Sequence, residues 1–248
     1  MANIYNENSN SANQFLIDPS VSSNVFFAVK ESYKTIRANI LLSLVKDGTK
    51  RLVLTSSIPG EGKTTTSINL AISLSQADKK VLLIDVDLRK NRIGKYLRLQ
   101  HKKGLTDIVR GDTTFEEVVN ITKFPNLHIL ASGTQVMNPS EVLASKLTEN
   151  FLNSLNEKYD YIVLDAPPIN VVSDALPLIK ISDGVLFVAR ENVVTQKELK
   201  KAVSSLNLIK ANIIGLIYIG RDSTHPYYRS RYGKYGKYDN YEEYYDED

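Results

Sequence analysis

Six short apolar runs, most of them separated by helix-forming stretches, constrain this chain more than any other feature. They are Leu52-Val53-Leu54, Val81-Leu82-Leu83-Ile84, Leu127-His128-Ile129-Leu130, Tyr161-Ile162-Val163-Leu164, Gly184-Val185-Leu186-Phe187-Val188 and Ile213-Ile214-Gly215-Leu216-Ile217-Tyr218. The runs are continuous rather than alternating, so each reads as a strand buried on both faces. Helical spacing marks 25–46, where Val25, Phe26, Val29, Ile36, Ile40, Leu41 and Leu44 recur, and then 63–77, 140–157, 174–181 and 195–210. This alternation predicts an α/β fold: a mostly parallel, doubly wound sheet with helices on both faces.

The fold is expected to occupy 25–220. Residues 1–24 are rich in Asn and Ser, contain no Lys or Arg, and read as a flexible arm rather than a secretory signal. At 248 residues with 42% hydrophobic content, one large domain can bury a full core. There are no cysteines, which excludes a disulfide framework and fits a reducing cytosol. No apolar run approaches the roughly 18 residues of a membrane span. Residues 1–24 carry two acids and no bases, and 221–248 carry five bases and seven acids, leaving 26 bases and 19 acids for the body. A basic body with an acidic-ended tail suits anionic ligands or docking of the tail on the body.

Between the first strand and the next helix lies Ser57-Ile58-Pro59-Gly60-Glu61-Gly62-Lys63-Thr64-Thr65. Strand, Gly-rich turn, Gly-Lys-Thr and helix is the context of a phosphate-binding loop, and the chain is expected to be a P-loop NTPase. Ser57 stands where the consensus opens with Gly. Backbone amides at 57–65 would surround phosphate oxygens at a helix N-terminus. Lys63 would reach the β- and γ-phosphates of ATP, and the Thr64 hydroxyl would bind Mg²⁺. Two further acidic elements end apolar strands: Asp85-Val86-Asp87-Leu88-Arg89 and Asp165-Ala166-Pro167-Pro168. Ligands bind outside the carboxyl ends of strands in such sheets, so these carboxylates converge on the loop. Mg²⁺ takes oxygen ligands and keeps several waters, so one carboxylate can hold the metal while another accepts a proton. Asp85 is assigned as base with Asp87 and Asp165 around the metal; an exchange of Asp85 and Asp87 stays open.

Together these three elements resemble the bacterial tyrosine kinases of capsule and exopolysaccharide synthesis, which are built on the ATPase fold of the MinD/ParA group. The similarity runs from about residue 26 to the C-terminus. It includes Leu130-Ala-Ser-Gly133, Asn138-Pro139-Ser-Glu141-Val-Leu143 and Val172-Ser-Asp174-Ala, similar to the family's connecting segments. ATPases of the ParA type carry a signature Lys at the position of Ile58, so the alternative of a MinD/ParA-like switch without kinase activity loses support. The resemblance implies contacts between neighbours in a ring, an octamer, through Glu31, Lys34 and Arg37, where the family carries Glu-x-x-Arg-x-x-Arg. Lys34 departs from that pattern, and Ile219 departs from an Asn near the adenine base. The resemblance also implies a separate transmembrane chain-length regulator as activator, a cognate tyrosine phosphatase, and a cytoplasmic location at the inner face of the membrane.

Eight of the 14 tyrosines lie in the last 22 residues: Tyr227, Tyr228, Tyr232, Tyr235, Tyr238, Tyr241, Tyr244 and Tyr245. The stretch has almost no aliphatic residues and cannot fold alone. Its rings are displayed, and the resemblance makes them the phosphoacceptors of an autokinase. As a flexible coil of 28 residues the tail spans about 30 Å, enough for its own site or a neighbour's. Stacking on single-stranded nucleic acid is the competing use of the Arg/Lys/Tyr stretch, but the acidic end, 239–248, speaks against it, and no nucleic acid is expected. His101, His128 and His225 show no metal spacing.

Overall fold

The computed structural model describes residues 23–99 and 103–220. Most of the expected N-terminal arm and all eight tail tyrosines lie outside the described residues. The chain runs α1 (Ser23–Ser43), β1 (Lys50–Ser56), α2 (Lys63–Ser75), β2 (Val81–Asp85), α3 (Arg92–Leu97), α4 (Leu105–Arg110), α5 (Phe115–Val118), β3 (Asn120–Ile121) and β4 (Leu127–Leu130). It continues through α6 (Pro139–Ala144), α7 (Lys146–Ser154), β5 (Tyr161–Asp165), α8 (Leu176–Lys180), β6 (Gly184–Arg190), α9 (Gln196–Leu208) and β7 (Ile213–Ile219).

The seven strands form one sheet in the order β3-β4-β2-β5-β1-β6-β7. All neighbours pair in parallel except β3, which runs antiparallel to β4 at one edge. The six expected strands are all present, and their continuous apolar character has the expected cause. Side chains of alternating parity feed two separate cores. Val53, Leu82, Ile84, Ile162, Leu164 and Phe187 pack on one face with Leu143, Leu152, Leu178 and Leu206. Leu52, Leu54, Leu83, Val163 and Val188 pack on the other with Ile40, Ile68, Leu70, Ile72 and Ile93. Each such Leu or Ile, taken fully out of water, contributes about 1.5–3 kcal/mol.

Two expectations change. The single helix over 140–157 is broken at Ser145, whose backbone is extended at φ −68° and ψ 149°. Ser145 Oγ accepts the Thr148 amide at 3.2 Å and so caps a second helix. The interval 86–126, without assigned elements in the sequence, holds three short helices and β3. These elements are only 2–6 residues long, too short for either periodicity to show.

Candidate active site

The loop after β1 turns on two glycines with left-handed backbones, Gly60 (φ +93°) and Gly62 (φ +84°). Gly62 also lacks room, because a Cβ there would lie 3.0 Å from Ile219 Cδ1. Gly62 is the N-cap of α2 and offers no side-chain cap. The first amides of α2 therefore keep their donors for an anion. Twelve of the thirteen residues of α2 are buried, so this helix start is fixed by packing on both sides. Glu61 is folded beneath the loop: its Oε2 accepts the Ile58 amide at 2.7 Å, and the residue is 1% exposed. Burial pushes its pKa up, against the pull of the Ile58 and Ser57 amides. Glu61 Oε1 and Ser57 Oγ are buried without a hydrogen-bond partner among the described residues.

β2 and β5 are neighbours, and their last residues, Asp85 and Asp165, stand directly opposite in register. β1 flanks β5 on its other side, with Leu54 opposite Asp165. This ordering brings the two acidic strand ends under the phosphate loop. Lys63 Nζ donates to Asp165 Oδ1 at 2.8 Å, Thr64 Oγ1 to Oδ2 at 2.8 Å, and Ser67 Oγ to Oδ1 at 2.9 Å. Asp165 and Asp85 are both fully buried. Asp85 accepts the amides of Asp87 at 3.1 Å and Ile93 at 2.9 Å, which fixes the turn after β2 and the start of α3. Burial and the nearby charge of Asp165 push Asp85 up to about 7, against the Ile93 amide and Lys63. Asp87 is also raised, by burial first, with Lys63 opposing and Asp165 adding.

A cavity of about 290 Å³ opens above these groups, lined by the loop from Ile58 to Thr65 and by Ser56, Asp87, Lys90, Arg92, Tyr96, Pro168 and Arg190. Asp87 faces this cavity, whereas Asp85 lies behind it. Lys90, Arg92, Tyr96 and Arg190 escaped the sequence reading, because nothing in their spacing marks them; the short α3 brings Arg92 and Tyr96 to the rim, the turn before it brings Lys90, and the end of β6 brings Arg190. A second missed feature is the fork of Arg89 on Asp174, with Nε to Oδ2 at 2.6 Å and Nη2 to Oδ1 at 3.1 Å. It ties the β2 turn to the segment before α8, and both residues stood in singled-out motifs without being paired.

On α1, Lys34 pairs with Glu31 at 2.7 Å on the exposed face, while Arg37 turns inward and donates to the Ser73 carbonyl at 2.6 Å. The three residues thus share a helix stripe, but Arg37 is engaged with α2. Ile219 stands against the phosphate loop. His128 bonds the Tyr159 hydroxyl at 2.7 Å, a packing role. Among the described residues, no group of three or more His, Cys, Asp or Glu is placed to hold a metal ion, and no helix is long and apolar enough to cross a membrane.

A phosphate loop on a buried parallel strand, with two acidic strand ends beneath its Lys, defines a P-loop nucleotide-binding protein. Comparison with known proteins narrows this class. A family model described as an AAA domain matches residues 49–216. The tyrosine-protein kinase YwqD of Bacillus subtilis is 37% identical over 191 residues, covering 77% of this chain and 81% of that protein. The putative tyrosine-protein kinase CapB of Staphylococcus aureus is 32% identical over 204 residues, covering 81% and 90%. Among solved structures, the chimerical protein CapA2B2 superposes with a TM-score of 0.75 at 28% identity, covering 85% of this chain and 90% of that one. The kinase domain of the Escherichia coli tyrosine kinase ETK gives 0.74 at 29% identity, covering 79% and 78%. The septum site-determining protein MinD of Pyrococcus horikoshii, complexed with Mg-ADP, gives 0.58 at 25% identity, covering 68% and 70%. The chain belongs to the bacterial tyrosine-protein kinases.

Proposed function

We propose that this chain transfers the γ-phosphoryl group of ATP to tyrosines of its own C-terminal tail, between copies of the chain, and thereby regulates synthesis and export of a capsular or extracellular polysaccharide. The observation that carries the reading is the convergence of Lys63, Thr64, Asp85 and Asp165 beneath an uncapped helix start, in a chain with eight tyrosines among residues 227–248. The loop amides and Lys63 hold the phosphates and offset the charge of the transferring group. Thr64 Oγ1, Asp165 and Asp87 would hold Mg²⁺ as its oxygen donors. So few protein ligands suit a cation that keeps waters and substrate phosphates in its shell. When bound, Mg²⁺ supplies positive charge at the phosphate oxygens.

In the transfer, the bond from the γ-phosphorus to its bridging oxygen breaks and a bond to the tyrosine oxygen forms. ADP leaves, and the phenolic proton passes to a carboxylate. Asp85 is the proposed acceptor of that proton. Its pKa of about 7 suits a base at neutral pH, where a phenol of pKa about 10 needs help to ionise. A second reading exchanges the roles, and the exposure of Asp87 to the cavity favours it. The pair is told apart by pH profiles. The base's Asn variant loses the rise of kcat with pH, whereas the metal residue's variant keeps that rise and needs more Mg²⁺.

Glu31, Lys34 and Arg37 contribute to a ring of copies, an octamer by analogy with the family, and a separate membrane-spanning regulator activates the chain at the inner face of the membrane. A cognate phosphatase resets it. Each phosphotyrosine adds about −1.5 to −2 charges, so modified tails repel one another and loosen the ring. Transfer between copies has a direct test. Active chain ending at residue 220 is mixed with the Lys63→Met full chain, ATP, Mg²⁺ and a peptide of the regulator's cytoplasmic end. Phosphotyrosine is expected on the Lys63→Met tail. Its absence there, with self-labelling of the unaltered full chain intact, overturns transfer between copies.

A further inference from the structure

The nucleotide cavity does not end at its rim. Lys90, Arg92 and Tyr96 also line a second, shallow trough of about 340 Å³, together with Arg89 and Lys95. Arg89 is committed to Asp174. Lys90, Arg92 and Lys95 have no ion-pair partner among the described residues, and Lys90 and Lys95 are exposed. Tyr96 is half exposed between them and offers a ring face with a polar hydroxyl. Three cations outside any ion pair, two of them (Lys90 and Arg92) within the field of Asp87, and one aromatic face thus adjoin the place where Lys63 would hold the γ-phosphate.

The tail is segregated by charge. Residues 227–238 carry four bases and no acid, and residues 239–248 carry six acids and no base, with Tyr241, Tyr244 and Tyr245 among them. A basic trough beside the cavity attracts the second block and repels the first. The geometry points to Lys90, Arg92, Lys95 and Tyr96 as a docking ledge for the acidic end, 239–248, of another copy's tail, which directs phosphorylation to Tyr241, Tyr244 and Tyr245 ahead of Tyr227 and Tyr228. The inference rests on the kinase reading for its consequence, but the docking itself does not require turnover. Chemically the step is the transfer already described, with the ledge contributing only position and charge. Lys95 belongs to the outer trough and not to the cavity lining, so it separates acceptor docking from nucleotide binding.

Two labelled peptides, 238–248 and 226–238, are titrated into the full chain and into its Lys95→Glu variant by fluorescence anisotropy. The acidic peptide is expected to bind the unaltered chain tighter than the basic one. Lys95→Glu is expected to weaken it about tenfold, within the range of a rim charge reversal, while Kd for ATP–Mg²⁺ is unchanged. A peptide with Glu242 and Glu243 replaced by Lys should recover binding to the Lys95→Glu variant. In turnover assays the same variant should raise KM for the acidic peptide with kcat unchanged, and should erase the lead of Tyr241, Tyr244 and Tyr245 in time-resolved phosphosite mapping. Equal binding of both peptides, or acidic-peptide binding indifferent to Lys95→Glu, overturns the ledge. A loss of ATP affinity in that variant with no change in peptide binding also overturns it, and assigns the trough to the nucleotide. Absence of tyrosine phosphorylation with the binding pattern intact defeats the kinase reading and leaves the ledge standing.

Discussion

Asp107 and Asp85 are both buried carboxylates at the edge of a short helix, yet the fold holds the first as an anion and pushes the second towards neutrality. Asp107 sits in the first turn of α4, 1% exposed. Its Oδ2 accepts the Gly104 and Thr134 amides, each at 2.9 Å, and its Oδ1 faces Arg110 Nη2 at 3.1 Å. Burial alone would raise its pKa, but the Thr134 and Gly104 hydrogen bonds and the Arg110 charge outweigh that and hold it below the usual carboxylate range. Asp85 also accepts two amides, but Asp165 lies opposite it in register, and Lys63 bonds Asp165 and reaches Asp85 only through its charge. Donors matched to one anion stabilise a fold; two anions around one cation store unfavourable charge that bound phosphates and metal can reorganise. The first arrangement ties α4 to the segment after β4. The second makes a site.

Substitutions should break the comparison in a definite order. Gly104→Ala should cost most, about 3 kcal/mol or more, because a Cβ there would collide with the Ala131 carbonyl and backbone cannot yield cheaply. Urea unfolding measures it, and a loss below 1 kcal/mol would show that the crossing is loose. Asp107→Asn should cost about 1.5–3 kcal/mol near pH 7, since charge-assisted bonds are lost and the new NH₂ group faces either Arg110 or the two amides that share Oδ2. Because the folded-state pKa is depressed, this stabilisation is present above the unfolded value of about 4 and fades as pH falls through the folded one. The gap between the unaltered chain and Asp107→Asn should therefore close on the acid side.

Asp85→Asn should have the smallest effect on stability, within about 1 kcal/mol, with the loss of one charge-assisted bond offset by relief of the repulsion from Asp165. Its pH dependence has the opposite sign. A folded pKa near 7, above the unfolded value of about 4, means that the folded chain binds the extra proton. The unaltered chain should lose stability between those limits as pH rises, and the Asn variant should not. Parallel melting curves for both variants from pH 4 to 8 would contradict the contrast between the two carboxylates.

The contrast also explains what the sequence made legible. β1, β2, β5 and β6 announced themselves because parallel strands buried on both faces must be apolar throughout. Lys63, Thr64, Asp85 and Asp165 could be read because they stand at fixed offsets from those strand ends. Asp107 gave no such sign: its partners Gly104 and Thr134 become neighbours only through the crossing of α4 over the chain after β4. Lys90, Arg92 and Tyr96 were hidden for a related reason. α3 has six residues, so its placement is set by the Asp85 bond to the Ile93 amide rather than by its own pattern. The break at Ser145 was missed because a helix capped at once by its own Ser leaves the apolar spacing almost undisturbed.

The most direct test of the central claim is mass-spectrometric mapping of the full chain after incubation with ATP, Mg²⁺ and a peptide of the regulator's cytoplasmic end, with Lys63→Met treated alongside. Phosphate confined to tyrosines of residues 227–245, and absent from the Lys63→Met chain, is the predicted result. Modification confined to Ser or Thr, or equal in both chains, would contradict it.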